Sequence, residues 1–171
     1  IGAVPNTQLA EDAGLDCSNG IKTDQYCRTS NPYVLAAGDC ANSFNALLNQ
    51  NIRLESVPNA LAQAKVVSSS IIGNDLYNKD LPWFWSDQYD LKLQMAGLSA
   101  GYDESIILGG VDSAEFIVCY GKDGHLIAVD SVNQSKQFML FKRALGNGFK
   151  LEMSLIKSKD FKPESIFSGS N

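Results

Sequence analysis

The chain has 171 residues, 44% of them hydrophobic, which suits one compact domain or two small ones with a core of their own. Fourteen Lys plus Arg against nineteen Asp plus Glu leave a formal net charge of -5, so the clustered positive field that a nucleic-acid partner needs is excluded. No apolar run reaches the roughly 18 residues of a membrane span, and the opening IGAVPNTQLA lacks the basic flank and long apolar stretch of a secretory leader, so the composition reads as soluble.

There is no initiator Met, and Ile1 opens an apolar-Gly-apolar pattern that reads as the end of a strand, so the chain is expected to begin inside something larger. TQLAEDA, residues 7–13, has a capping residue, acidic side chains in its first turn and Gly14 as a stop, which predicts a short helix. A brief strand is expected at GIKTD. The Asn31-Pro32 turn then leads into YVLAAG, whose length suits a buried strand closed by Gly38, so the AAGDC motif that follows is placed at a strand's C-terminal end. Residues 44–54 read as a loop.

ESVPNALAQAKVVSSSII carries Val57, Leu61, Ala64 and Ile71 at near-helical spacing, with Pro58 where a first turn tolerates it, and predicts a helix. GNDLYNKDLP, residues 73–82, is polar and turn-rich and is the expected domain boundary. Beyond it the character changes. Residues 91–98, SIILGG and EFIVCYG are strand-like, and the Lys122-Asp123-Gly124-His125 turn before LIAVDSV marks a hairpin, so an antiparallel sheet is expected. SKQFMLFKRAL, closed by Gly146, spaces Phe138, Phe141 and Leu145 for a helix on that sheet, while the tail from Lys157 is polar and says little.

Among the residues able to carry chemistry, the Gly38-Asp39 pair has two readings. Glycine lets another molecule approach the backbone, and an ionised Asp accepts from two hydroxyls of a sugar or ribityl chain; equally, Gly-Asp is a common turn whose carboxylate caps a loop. The start of the helix near Val57 could face an anion or a carbonyl that gains electrons, or be capped and nothing more. Trp83, Phe84, Trp85 and Tyr89 could wall a planar cofactor, guide a protein partner, or fill a core. Cys40 beside Asp39 has no neighbouring histidine to activate it as a nucleophile, so it reads as packing, and His125 reads as a solvated turn residue. Arg53, Lys142 and Arg143 could dock an acidic partner but read first as solvated surface. The four cysteines, Cys17, Cys27, Cys40 and Cys119, form no CxxC pair, and one His cannot complete a zinc set, so no metal is expected and free thiols fit a reducing cytoplasm.

Taken in order, VPNTQLAEDAGL, TSNPYVLAAGDCAN, IRLESVPNALAQAK, PWFWSDQYDLKLQMAGLSAGYDE and LIAVDSVNQSKQF resemble the C-terminal part of the FAD-dependent NAD(P)H:ferredoxin reductases. That group includes rubredoxin and putidaredoxin reductases and the reductase components of oxygenase systems. The resemblance implies an α/β plus α+β architecture: a partial FAD-binding Rossmann-like portion followed by a C-terminal antiparallel sheet with packed helices. Residues 1–20 would be the tail of an NAD-binding domain, 21–78 the returning portion of an FAD-binding domain, and 79–171 the reductase C-terminal domain.

The same resemblance implies that Asp39 binds the ribityl hydroxyls of FAD and that Gly38 lets the cofactor come close. Val57 would offer its backbone to the flavin pyrimidine edge, Glu55 would lie near the nicotinamide, and Trp83 and Trp85 would stand near the exposed flavin edge where a ferredoxin-type iron-sulfur protein approaches. The family chemistry, from NAD(P)H through FAD to that carrier, uses the flavin for its hard step, so no catalytic acid, base or nucleophile is expected. GxGxxG fingerprints are absent, and without that pyrophosphate cradle the chain alone is expected to bind FAD weakly or not at all and to be inactive by itself. Alternatives are a docking or dimerisation module without redox activity, a homodimer being possible, and a flavoprotein resembling apoptosis-inducing factor.

Overall fold

The computed structural model describes residues 3–74 and 76–167; the strand end expected at Ile1, and Asp75 of the expected boundary, lie outside them. The chain divides into two compact units, Ile1–Asp80 and Leu81–Asn171.

The first unit opens with helix α1, Gln8–Asp12, as its acidic first turn requires. Thr7 does not cap the backbone with its hydroxyl; it donates instead to Glu11 Oε1 at 2.6 Å. Strand β1, Ile21–Thr23, lies parallel to β2, Ala41–Asn45, which pairs antiparallel with β3, Gln50–Ile52, in the order β1-β2-β3.

Two expectations fail here. YVLAAG is not a buried strand: Tyr33 is exposed, Val34 N–H donates into a turn at Asn31 O, and the run makes one isolated antiparallel bridge, Leu35 to Arg28. Gly38 therefore does not close a strand. It sits at φ +83° in a turn whose carbonyl accepts from Ala41 N–H, so Asp39 precedes β2 rather than ending a strand. Residues 44–54 are not a loop, because Asn45 Oδ1 accepts from Leu48 N–H and Asn49 takes φ +52°, which folds the chain back as the β2-β3 hairpin.

Helix α2, Val57–Ile71, forms where expected, with Ser56 extended at the cap and its hydroxyl accepting from Asn59 N–H at 3.3 Å. Its buried face is the reverse of the one the apolar spacing suggests. Gln63, Val66 and Ser69 are inside, while Val57, Leu61, Ala64 and Ile71 are exposed. The segment after α2 is no free linker: buried Asn78 donates its N–H to Gln25 O and accepts from Ala46 N–H, and Asn45 Nδ2 donates to Asp80 O.

The second unit is a five-stranded antiparallel sheet ordered β4-β5-β8-β7-β6, built from β4 (Trp83–Gln88), β5 (Leu91–Gly97), β6 (Glu104–Gly110), β7 (Glu115–Lys122) and β8 (His125–Val132). Positive φ at both Asp123 and Gly124 makes the tight β7-β8 turn, with the right-handed strand twist that such a turn matches. Helix α3, Ser135–Gly146, lays Phe138, Phe141, Ala144 and Leu145 on one face of the sheet. Helix α4, Met153–Ile156, buries both of its end residues. The tail from Lys157 is more structured than its polarity suggests, because Phe161, Ile166 and Phe167 pack on the same core.

Candidate functional site

In the first unit the Gly38-Asp39 turn and the start of α2 are held together by one buried side chain. Gln63, two turns into the helix, is fully buried and its Oε1 accepts the Gly38 N–H at 2.7 Å. A Cβ built on Gly38 would meet only Ala60 Cβ, at 4.0 Å, so the turn lies along the first two turns of α2 with open space over its backbone. Asp39 is exposed and its carboxylate accepts no hydrogen bond from the described residues. A loop-capping role for that carboxylate is thereby excluded within the described structure.

At the helix start, Ser56 takes the N–H of Asn59 and, through its carbonyl, that of Ala60, while Pro58 has no N–H to offer. Val57 is left with an N–H that finds no acceptor among the described residues, at the positive end of a fifteen-residue helix.

Arg53 joins these parts. Its Nη1 donates to the Asp39 carbonyl at 3.1 Å and forms an ion pair with Glu55, Nη2 donates to Ala3 O at 3.3 Å, and Nε to Asn19 Oδ1 at 3.2 Å. With its side chain 12% exposed, Arg53 is not the solvated surface residue that its isolation in sequence suggests. Neither Arg53 nor Gln63 carries a sequence signal for these roles. A guanidinium that bonds four separate segments, and an amide two helical turns from the loop it holds, become neighbours only after folding.

The two aromatic candidates belong to the second unit. Trp83 and Trp85 alternate onto the same side of β4 and stack with ring centroids 5.3 Å apart and planes 27° from parallel. Trp83 packs against the core, whereas Trp85 is 37% exposed. Lys142 of α3 is not a fully solvated cation either: it is half-buried, with Nζ 3.3 Å from the Trp83 ring centroid, whereas Arg143 is exposed as expected, its guanidinium 4.5 Å from the Phe167 ring centroid.

No group of metal-ligating side chains occurs among the described residues. Cys40 Sγ donates weakly to Ala37 O, consistent with packing, and His125 Nδ1 lies 3.0 Å from Asp123 O in the exposed hairpin.

The residues of the first unit fit a dinucleotide that carries a flavin. An open backbone at Gly38, an unpaired carboxylate at Asp39 and a free N–H at a helix start match, respectively, a closely approaching chain, hydroxyl donors and an electron-rich carbonyl.

Comparison with known proteins gives the same direction. Residues 1–64 match the family model described as pyridine nucleotide-disulphide oxidoreductase, and residues 83–162 match the one described as reductase C-terminal. Putidaredoxin reductase CamA of Pseudomonas putida is 40% identical over 91% of this chain and 37% of its own length. A ferredoxin--NAD(P)(+) reductase of Sphingomonas sp is 45% identical over 84% of this chain and 35% of its own length. Among solved structures, the ferredoxin reductase for the CYP199A2 system from Rhodopseudomonas palustris superposes with a TM-score of 0.90 at 35% identity, covering 96% of this chain and 41% of that one. The covalent putidaredoxin reductase-putidaredoxin complex does so with a TM-score of 0.91 at 38% identity, covering 98% of this chain and 40% of that one. The chain thus spans well under half the length of these relatives.

Proposed function

We propose that this chain, whose residues 1–64 match the pyridine nucleotide-disulphide oxidoreductase model and residues 83–162 the reductase C-terminal model, supplies the flavin-facing and acceptor-facing portion of an NAD(P)H-dependent ferredoxin reductase. The observation that carries this is the Gly38 N–H to Gln63 bond, which keeps an unpaired carboxylate and a free helix-start N–H in one arrangement.

In this reading Asp39 accepts from the ribityl hydroxyls, and the open face of Gly38 lets that chain lie close. The N–H of Val57 and the positive end of α2 meet the pyrimidine edge, where negative charge collects on reduction. Glu55, held by Arg53, stands toward the nicotinamide with its carboxylate turned by the guanidinium. Trp83 and Trp85 border the edge from which electrons leave. The chemistry supplied by bound FAD is acceptance of a hydride from NAD(P)H and release of electrons one at a time to an iron-sulfur carrier.

Residues 1–20 then continue an NAD-binding domain, 21–78 complete an FAD-binding domain, and 79–171 form the reductase C-terminal domain. The chain lacks GxGxxG cradles, so tight FAD binding depends on a nucleotide-binding portion it does not contain. A cytoplasmic setting belongs to the same proposal, supported by four cysteines that are all free. The second reading, a docking or dimerisation module, is favoured by one observation: every residue of the core under the five-stranded sheet comes from the second unit.

The test is Asp39→Ala in a protein that also carries the nucleotide-binding portion. Loss of hydrogen bonds from a charged acceptor costs about 1.5–3 kcal/mol, so FAD affinity should fall roughly 10- to 100-fold with the fold unchanged. Unaltered FAD occupancy in the variant would refute the assignment.

A further inference from the structure

We propose that Lys142 is a positioning residue for the tryptophan pair: its cation, seated on one face of Trp83, holds the Trp83-Trp85 stack in the single orientation that presents Trp85 to the surface. This deepens the proposed reading of the pair as the border of the electron exit, and rests on that reading for its functional meaning.

The geometry supports it at three points. A cation 3.3 Å from the ring centroid fills one face of Trp83, and the stacked ring of Trp85 at 5.3 Å has no room on that same face, so Trp83 is held between the two. β4 is the edge strand of its sheet, paired only with β5, and a wide indole at a sheet edge is not confined by side chains on a second neighbouring strand. The other support comes from α3, whose Phe138, Phe141 and Leu145 are anchored in the core, so the base of the Lys142 side chain starts from a rigid element. An ammonium over an indole gains from the ring quadrupole, and gains more when water is partly withdrawn. Lys142 is half-buried, and burial lowers its pKa from the ordinary lysine value, as expected of a cation drawn out of water.

The chain contains two tryptophans, both in this pair, so no other indole contributes to their signal. Two indoles stacked this closely couple their strong transitions and give a bisignate circular dichroism band in the far ultraviolet. Lys142→Met keeps the length and apolar contacts of the side chain without the charge, whereas Lys142→Arg keeps a cation able to lie on the ring. The expected result is loss of the couplet in Lys142→Met, its retention in Lys142→Arg, and an unchanged cooperative unfolding transition in both. Lys142→Gln serves as a second neutral replacement if Met disturbs the core. A couplet that persists in a folded neutral variant, or vanishes in Lys142→Arg, overturns the proposal, because packing rather than charge would then hold the stack.

The same variants in a flavin-loaded protein separate this idea from the reading it rests on. Loss of the couplet with slowed reduction of an iron-sulfur acceptor, and an unchanged rate of flavin reduction by NAD(P)H, supports both. Loss of the couplet with an unaltered acceptor rate leaves Lys142 as the holder of the stack and refutes the pair as an electron exit.

Discussion

Gln63 shows how a single side chain can decide a site that sequence patterns only suggest. An amide at a fully buried helix position is disfavoured unless it is bonded, and this one is half satisfied: Oε1 takes the Gly38 N–H, while Nε2 finds no acceptor among the described residues. Gln63→Ala strands the Gly38 donor, so urea unfolding should report a loss of about 1–3 kcal/mol. The Tyr120-Asp130 pair on the second unit's sheet gives a pH test. Tyr120 Oη donates to Asp130 Oδ2 at 2.8 Å, and burial first, then this bond and the nearby carboxylate, push the phenol up to about 12 from 10.0. A folded pKa raised above the unfolded one means that stability present below pH 10 is lost as pH climbs toward 12. In absorbance titration Tyr120 should therefore ionise near 12, and Tyr120→Phe should remove that late wave. Asp130 is also raised, by desolvation, against the lowering effect of the tyrosine bond; the folded state holds its proton longer than the unfolded chain, so stability falls as pH rises through the carboxylate range. Asp130→Asn should flatten that part of the pH profile.

At the level of elements, α2 and α3 separate what periodicity can and cannot decide. Both helices start and stop near where caps and breakers place them. For α3 the apolar spacing also names the buried face, because Phe138, Phe141 and Leu145 are the largest apolar groups on that helix face and nothing competes with the sheet for them. For α2 it does not: Gln63, Val66 and Ser69 are inside, where Gln63 meets the Gly38 turn and Cys27 and Ser69 accepts from Leu76 N–H, and the larger apolar groups face outward. Truncation should register this difference. Phe141→Ala should cost roughly 3–5 kcal/mol in thermal or denaturant unfolding, and Leu61→Ala should stay within about 0.5 kcal/mol. The misread strand at YVLAAG has a similar origin. A short apolar run does not reveal how far its backbone groups find a ladder partner, and here they make one isolated antiparallel bridge, Arg28 to Leu35, beyond a turn in which Asn31 O takes Val34 N–H.

The molecule as a whole is two units, each with its own buried thiol. Burial raises Cys27 to about 11 in the first unit and Cys119 to about 12 in the second, so both should resist a thiol reagent at neutral pH until their own unit opens. The residues of the second unit from Leu81 onward contain every member of the cluster formed by the sheet, α3, α4 and the aromatic tail. Expressed alone, Leu81–Asn171 should unfold in one cooperative transition with Cys119 protected below it. A gradual, non-cooperative melt with Cys119 reactive throughout would show that the unit needs the rest of the chain.

Read by itself, the sequence determined the family resemblance, the two stretches of different character, the principal helices, the hairpin at Asp123-Gly124 and the buried face of α3, because each of these is written in residues close together along the chain. The tertiary structure alone decided that Asp39 precedes a strand, that α2 turns its amide side inward, that Arg53 ties together Ala3, Asn19, Asp39 and Glu55, and that Lys142 covers Trp83. The physical reason is separation: apart from the local Arg53-Glu55 pair and the turn before β2, those contacts join groups 14 to 59 residues apart, and their energies depend on which surfaces are already withdrawn from water when they meet.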